Sequence, residues 1–293
     1  MGSFSCSKFI SALTLKELQN STIISRVILV FFSIFLAFIY IYNASAEESV
    51  SGTISTNTTW TLANSPYTVT NDITVASGVT LTIEPGVEVK FDAGKKLEVE
   101  GTLIARGTSS DKITFTSSAG SPAAGDWGFI QFTNTSADST FDGNGDYTGG
   151  SILEHCIIEY GGGSGVQGSV DIDQSVPFIN YCTIRYSASA GIKHDDESIK
   201  VHNSTITENN SDGIFSREYN NGSPPYTVSI INNIVSNNTN RGINILKEGS
   251  QQGSITIDNN VVTGNGQAGV NSNGRGSHTI TNNTISDNDG FEA

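Results

Sequence analysis

The chain has 293 residues, with 15 Lys plus Arg against 29 Asp plus Glu, a net charge of −14, and only 15% of its residues are charged. An acidic chain without a Lys/Arg cluster lacks the cations that phosphate contacts need, which argues against a nucleic-acid partner, and 36% hydrophobic residues, well spread, argue against a disordered chain. Three cysteines are too few for a disulfide scaffold and match no zinc spacing. Asn is 27, of which 19 fall in residues 201–293.

Residues 1–46 read as an address. Val27 to Tyr42 is 16 residues without a charge, short of the roughly 20 that span a bilayer. Arg26 precedes it, and Asn43-Ala44-Ser45-Ala46 follows as a small-residue cleavage site before Glu47 and Glu48. This predicts a signal peptide, a hydrophobic helix outside the fold. An uncleaved signal anchor is the alternative, and would be the chain's one link to a membrane. Either way residues 47–293 are expected to be secreted, periplasmic or on the cell surface. Without residues 1–46, which hold three cations and one anion, 12 cations and 28 anions remain, a net charge of −16.

In the N-terminal part of the exported chain, residues 47–150, the runs Val79-Thr80-Leu81-Thr82-Ile83, Val87-Glu88-Val89-Lys90-Phe91 and Leu97-Glu98-Val99-Glu100 alternate apolar and polar residues. That period predicts strands with one face buried and one wet.

From residue 152 to 293 the chain repeats. Six segments superpose on an anchor residue, Cys156, Cys182, Ser204, Asn233, Asn260 and Asn283, spaced by 26, 22, 29, 27 and 23 residues. Three before the anchor stands Leu, Val or Ile in every repeat, and two after it Ile or Val. Nine after it stands Gly in five of six repeats, from Gly165 to Gly269, followed by Val or Ile. Variable repeat length with fixed columns is how a solenoid of short stacked strands grows, each coil about 4.8 Å above the last. Asn suits its corners, tolerating the left-handed conformation, and stacked Asn can bond up the stack. The anchor column is therefore expected to be a structural ladder, with Cys156 and Cys182 an inward pair of thiols rather than a disulfide. The chain stops at Ala293 within a coil, which reads as a missing terminal cap.

The pattern I-x-x-N-N-x-I followed by G-I resembles the right-handed parallel β-helix repeat (PbH1 type) of the pectate-lyase-like superfold, of an exported bacterial type. The resemblance covers residues 152–293 strongly, and Gly78 to Val87, Lys96 to Ala105 and Ile113 to Thr116 resemble the preceding coils of such proteins. It implies an all-β, single-stranded, right-handed parallel β-helix over residues 47–293 as one domain, consistent with the right-handedness of parallel crossovers. Carbohydrate lyases of this superfold combine Ca²⁺-binding acids with a basic catalytic residue. The paired-Asp and Gly-His-Gly signatures of its polygalacturonase-like hydrolases are missing, so no catalytic role carries over.

Loops hold the candidates for chemistry. In Lys193-His194-Asp195-Asp196-Glu197, a His beside carboxylates offers acid/base or Ca²⁺-binding groups. One coil on lies Ser216-Arg217-Glu218-Tyr219. His194, Asp195, Asp196 and Arg217 are the catalytic candidates, and Glu197, Glu218 and Tyr219 the ligand-binding ones; an Arg and a Tyr beside acids would suit a uronate polymer. A solvated acidic loop is the simpler reading of the cluster, since clustered surface charge is common. Asp142, Asn144 and Asp146 match the start of a calcium loop whose sixth and twelfth positions fail, and a turn-rich insertion is the simpler reading. Calcium is the one cofactor in view. Two functions follow: an exported or cell-surface β-helix that holds a polysaccharide or cell-surface glycan without catalysis, as an adhesion or structural module, or a polysaccharide lyase or glycoside hydrolase acting on a uronate-containing polymer. The first is favoured because no loop set presents an acid, a base and a binding group together. Convergence of His194, an Asp and Arg217 in one groove would favour the second.

Overall fold

Segments in which β-branched and aromatic residues alternate with polar ones bury one face only as strands, and strands dominate the computed structural model. It describes residue 29 and residues 47–163, 168–218, 226–247, 253–273 and 276–290. Residues 1–46 (but for residue 29), read above as a signal peptide, Gly165, Val166, Tyr219 and the chain end at Ala293 lie outside the described residues. Among the described residues no helix is long and apolar enough to cross a membrane. Among the described residues from 47 onward the one helical element is the 3-10 turn Leu62–Asn64.

The strands form a three-walled parallel β-helix. The first wall is a nine-stranded sheet running from Thr58–Trp60 to Gly276–Thr281. The second and third walls share one seventeen-stranded sheet. They are continuous because Tyr67–Val75 crosses the corner: Tyr67 to Val69 pair with Val89 to Phe91, and Ile73 to Val75 pair with Leu97 to Val99. A typical coil is Phe178–Asn180, Thr183–Arg185 and Ala190–Asp195. One antiparallel hairpin, Thr140–Phe141 with Tyr147–Gly149, departs from this plan.

Each wall sends a column of apolar residues inward. Leu153, Ile179, Val201, Ile230 and Ile257 stack on the first wall, and Ile158, Ile184, Ile206, Val235 and Val262 on the second; all are fully buried. At about 2 kcal/mol for each buried Ile or Val, these columns supply much of the driving force. The first coils also fill their core with rings: Trp60 stacks on Tyr67 at 4.9 Å and Phe91 on Trp127 at 4.2 Å between centroids. The indole Nε1 of Trp127 donates to the Glu159 carbonyl at 2.8 Å.

The corners sort the asparagines into two roles. The residue before the anchor is left-handed in all six repeats: His155, Tyr181, Asn203, Asn232, Asn259 and Asn282 have φ between 50° and 59°. Four after the anchor a second left-handed column runs Tyr160, Tyr186, Glu208, Asn237, Gly264 and Asp287. The anchor Asn are different. Asn233 and Asn260 are 1% exposed; Asn233 Nδ2 donates to Asn260 Oδ1 at 3.0 Å, and Asn260 Nδ2 to Asn283 Oδ1 at 2.9 Å. Upstream, the Cys182 amide donates to Ser204 Oγ at 3.0 Å and the Ser204 amide to Asn233 Oδ1 at 2.9 Å. A second buried ladder five after the anchor runs Asn209, Asn238, Asn265, Asn288, with Nδ2 to Oδ1 distances from 2.8 to 3.0 Å. Cys156 and Cys182 are free, buried thiols, each within reach of backbone carbonyls.

One expected column needs correction. Val170, not Val166, pairs with Ile192 on the third wall. The coil that begins at Ile152 is four residues longer before this strand, so counting nine and ten from Cys156 lands on Gly165 and Val166, which lie outside the described residues, four positions before the residue that pairs. The remaining glycines of that column are there for close approach. A Cβ on Gly213 would lie 2.6 Å from Val235 Cγ1 and 2.8 Å from Asn238 Nδ2 of the next coil.

A candidate binding face on the third wall

Strands Gly168–Asp173, Ala190–Asp195 and Ile214–Glu218 lie side by side on the third wall. Lys193 to Asp195 and Ser216 to Glu218 are therefore strand residues and not loops, and the period of two decides which way each points. Ile172, His194 and Ser216 form an inward column; Asp171, Lys193 and Phe215, and Asp173, Asp195 and Arg217, form two outward ones.

This splits the predicted catalytic set. His194 is 1% exposed and its Nδ1 is 2.9 Å from Ser216 Oγ inside the coil. Asp195 and Arg217 are on the outer face, with Oδ1 and Nε 3.8 Å apart. Asp196 and Glu197 are both left-handed and end the strand, Asp196 buried and Glu197 exposed; the Asp196 amide donates to the Arg217 carbonyl at 2.8 Å. Glu218 is largely buried at the strand end, and Tyr219 is outside the described residues. His194 therefore does not meet Asp195 and Arg217 in one groove.

The outer face has groups that sequence reading passed over. Lys193 Nζ lies 3.1 Å from Asp171 Oδ1 on the preceding coil and 2.5 Å from Asp195 Oδ2. The other oxygen of Asp171 accepts from Gln131 Nε2 at 3.0 Å. Burial pushes the Asp171 carboxyl above the usual carboxylate range, against the pull of Lys193. Burial pulls the Lys193 ammonium down, but the hydrogen bond to Asp195 and the two carboxylate charges outweigh it and raise it above the ordinary lysine value. Phe215, next in the column, carries the Arg217 guanidinium 5.4 Å above its ring centre. It also lines a hollow of about 390 Å³ with Ala188, Ser189, Ala190, Ser211 and Asp212. Asp212 is held by Asn244 Nδ2 at 2.7 Å and by the Arg241 amide at 2.9 Å. Alternation along Ala190–Asp195 could have signalled Lys193. The four-residue insertion hid Asp171, because it shifts that residue out of the repeat count.

The calcium candidates sit in the hairpin turn. Asp142 Oδ1 accepts from the amides of Asn144 and Asp146, each at 2.9 Å, and the first cause of its lowered pKa is the Asp146 amide, followed by that of Asn144. The turn thus uses Asp142 as its own acceptor. The hairpin packs on the first wall: Phe141 meets Phe178 edge-on at 5.1 Å, Lys200 Nζ sits 3.5 Å from the Phe141 ring centre, and Arg106 lies over Tyr147. Among the described residues no group of three or more His, Cys, Asp or Glu is placed to hold a metal.

Known proteins place this geometry. A family model described as pectate-lyase like beta helix domain matches residues 52–199. A stretch of 75 residues is 37% identical to Protein bark beetle of Drosophila melanogaster, covering 26% of this chain and 2% of that protein. No solved structure matches the chain. With half of its length matched and a parallel β-solenoid built from its repeats, the chain belongs to the pectate-lyase-like β-helix domain family.

Proposed function

We propose that this chain is an exported β-helix module that holds a glycan on the outer face of its third wall without cleaving it. The observation that carries the reading is the hollow beside Phe215, where an aromatic ring adjoins two alanines, two serine hydroxyls and a carboxylate. Sugar rings have apolar faces and a hydroxyl rim, and a concave patch of this mixed chemistry suits them. The inward turn of His194 leaves Asp195 and Arg217 without a neighbouring imidazole base, which supports binding over catalysis. Export rests on the apolar run Val27 to Tyr42 and the Ala44-x-Ala46 site, and puts the module outside the membrane, on the cell surface or released from it.

The test is retention on immobilised neutral, amino-sugar and uronate polysaccharides, with and without calcium, for the full chain and for Phe215→Ala. Binding that falls about tenfold in the variant, a change of about 1.4 kcal/mol, is expected. Failure to bind any polymer overturns the glycan reading. Release of unsaturated or reducing sugar overturns the non-catalytic part.

A further inference from the structure

Asp171, Lys193 and Asp195 bring together what amide formation requires. The amine of Lys193 faces one oxygen of Asp171 at 3.1 Å and a second carboxylate, Asp195, at 2.5 Å. The Asp171 side chain is 3% exposed and that of Lys193 14%. Gln131 Nε2 holds the other Asp171 oxygen at 3.0 Å. Phe215 stands next to Lys193 in the register, an apolar neighbour on the following coil. An ion pair alone needs one carboxylate; this lysine has two, on adjacent coils, one of them nearly dry and held by an amide donor.

We infer that Lys193 and Asp171 condense to an amide that ties two consecutive coils of the third wall covalently. Asp195 takes a proton from the Lys193 ammonium. The free amine adds to Cγ of Asp171 in its protonated form, and the developing oxyanion stays on the oxygen that Gln131 holds. The tetrahedral centre then expels the Oδ1 hydroxyl as water, using the proton parked on Asp195, and the Asp195 carboxylate so restored takes the remaining surplus proton from the nitrogen to leave the neutral amide. One C–N bond forms, one C–O bond breaks and one water leaves; no oxidant or co-reactant is involved. Burial favours the neutral carboxylic acid that the step needs. The raised lysine makes proton removal the hard part, so the bond forms slowly after folding.

The experiment is the mass of the purified full chain, followed by tryptic mapping. The expected mass is lower by one water, with a branched peptide joining residues 113–185 to residues 186–200 and no cleavage after Lys193. Lys193→Arg keeps the ion pair and has no amine to condense, so it restores the full mass and loses the branch. Asp195→Asn keeps Lys193 and Asp171 and removes the base; formation slows about a hundredfold or more. Circular dichroism confirms that each variant is folded. A wild-type chain of full mass after prolonged incubation overturns the inference, and so does a water loss that persists in Lys193→Arg.

Discussion

Asn260 Oδ1 accepts two hydrogen bonds from one residue of the preceding coil, the backbone amide of Asn233 at 2.8 Å and its Nδ2 at 3.0 Å. The Asn260 amide group in turn donates to the Ile230 carbonyl at 2.9 Å. One buried side chain thus serves the polar groups of a corner that no strand ladder reaches. Asn260→Ala should leave buried donors without partners and cost about 2–4 kcal/mol. Asn232 forms the exposed, left-handed counterpart of this ladder, with Asn259 Nδ2 donating to its Oδ1 at 2.7 Å. Asn232→Gly keeps the backbone conformation available and should change stability by under about 1 kcal/mol. Chemical denaturation of both variants checks the contrast; equal losses would contradict the two roles.

Gly213 is the clearest packing glycine. A methyl group there would meet Val235 Cγ1, the Gly242 carbonyl oxygen and Asn238 Nδ2 at 2.6, 2.7 and 2.8 Å. Gly213→Ala should therefore cost about 1–3 kcal/mol through overpacking. Gly143→Ala, in the hairpin turn with nothing within 4 Å, should be neutral. Melting temperatures of the pair give the answer directly.

His202 predicts a pH dependence. Burial, and then the Lys200 charge, lower its pKa from 6.5 to about 4, and its Nε2 is 2.8 Å from Ser229 Oγ. The native state keeps this ring neutral while the unfolded chain protonates it first. Its contribution is therefore complete above about pH 6.5 and is lost as pH falls towards about 4, by up to about 3 kcal/mol. His202→Gln should flatten the denaturation midpoint across that window; an unchanged slope would refute the assignment.

The wall columns were legible in the sequence because a strand's side chains alternate strictly, so Leu153, Ile179 and Val201 had to share a face. The asparagine excess was legible as corners, yet not as two kinds of corner residue. Asn232 and Asn233 are neighbours of identical chemistry; one is left-handed and exposed, the other buried in a ladder. Only the direction of each Cβ at the turn separates them.

The site was less legible. Lys193 to Glu197 read as a charged loop because five polar residues in a row carry no apolar marker of a strand. In the fold His194 takes an inward place between Ile172 and Ser216, where an apolar residue is the ordinary choice. The partnership of Lys193 with Asp171 crosses a coil whose length the repeat count misjudged.

By itself, the sequence determined that the chain coils with β-strands, where its walls lie and that Asn turns its corners, since these follow from alternation and backbone preference over a few residues. The tertiary structure alone decided that His194 faces the core while Asp195 and Arg217 face outward, and that Asp171, Lys193 and Phe215 stand in one line. Those relations depend on the stacking register between coils, which the length of each intervening segment sets and no local pattern records.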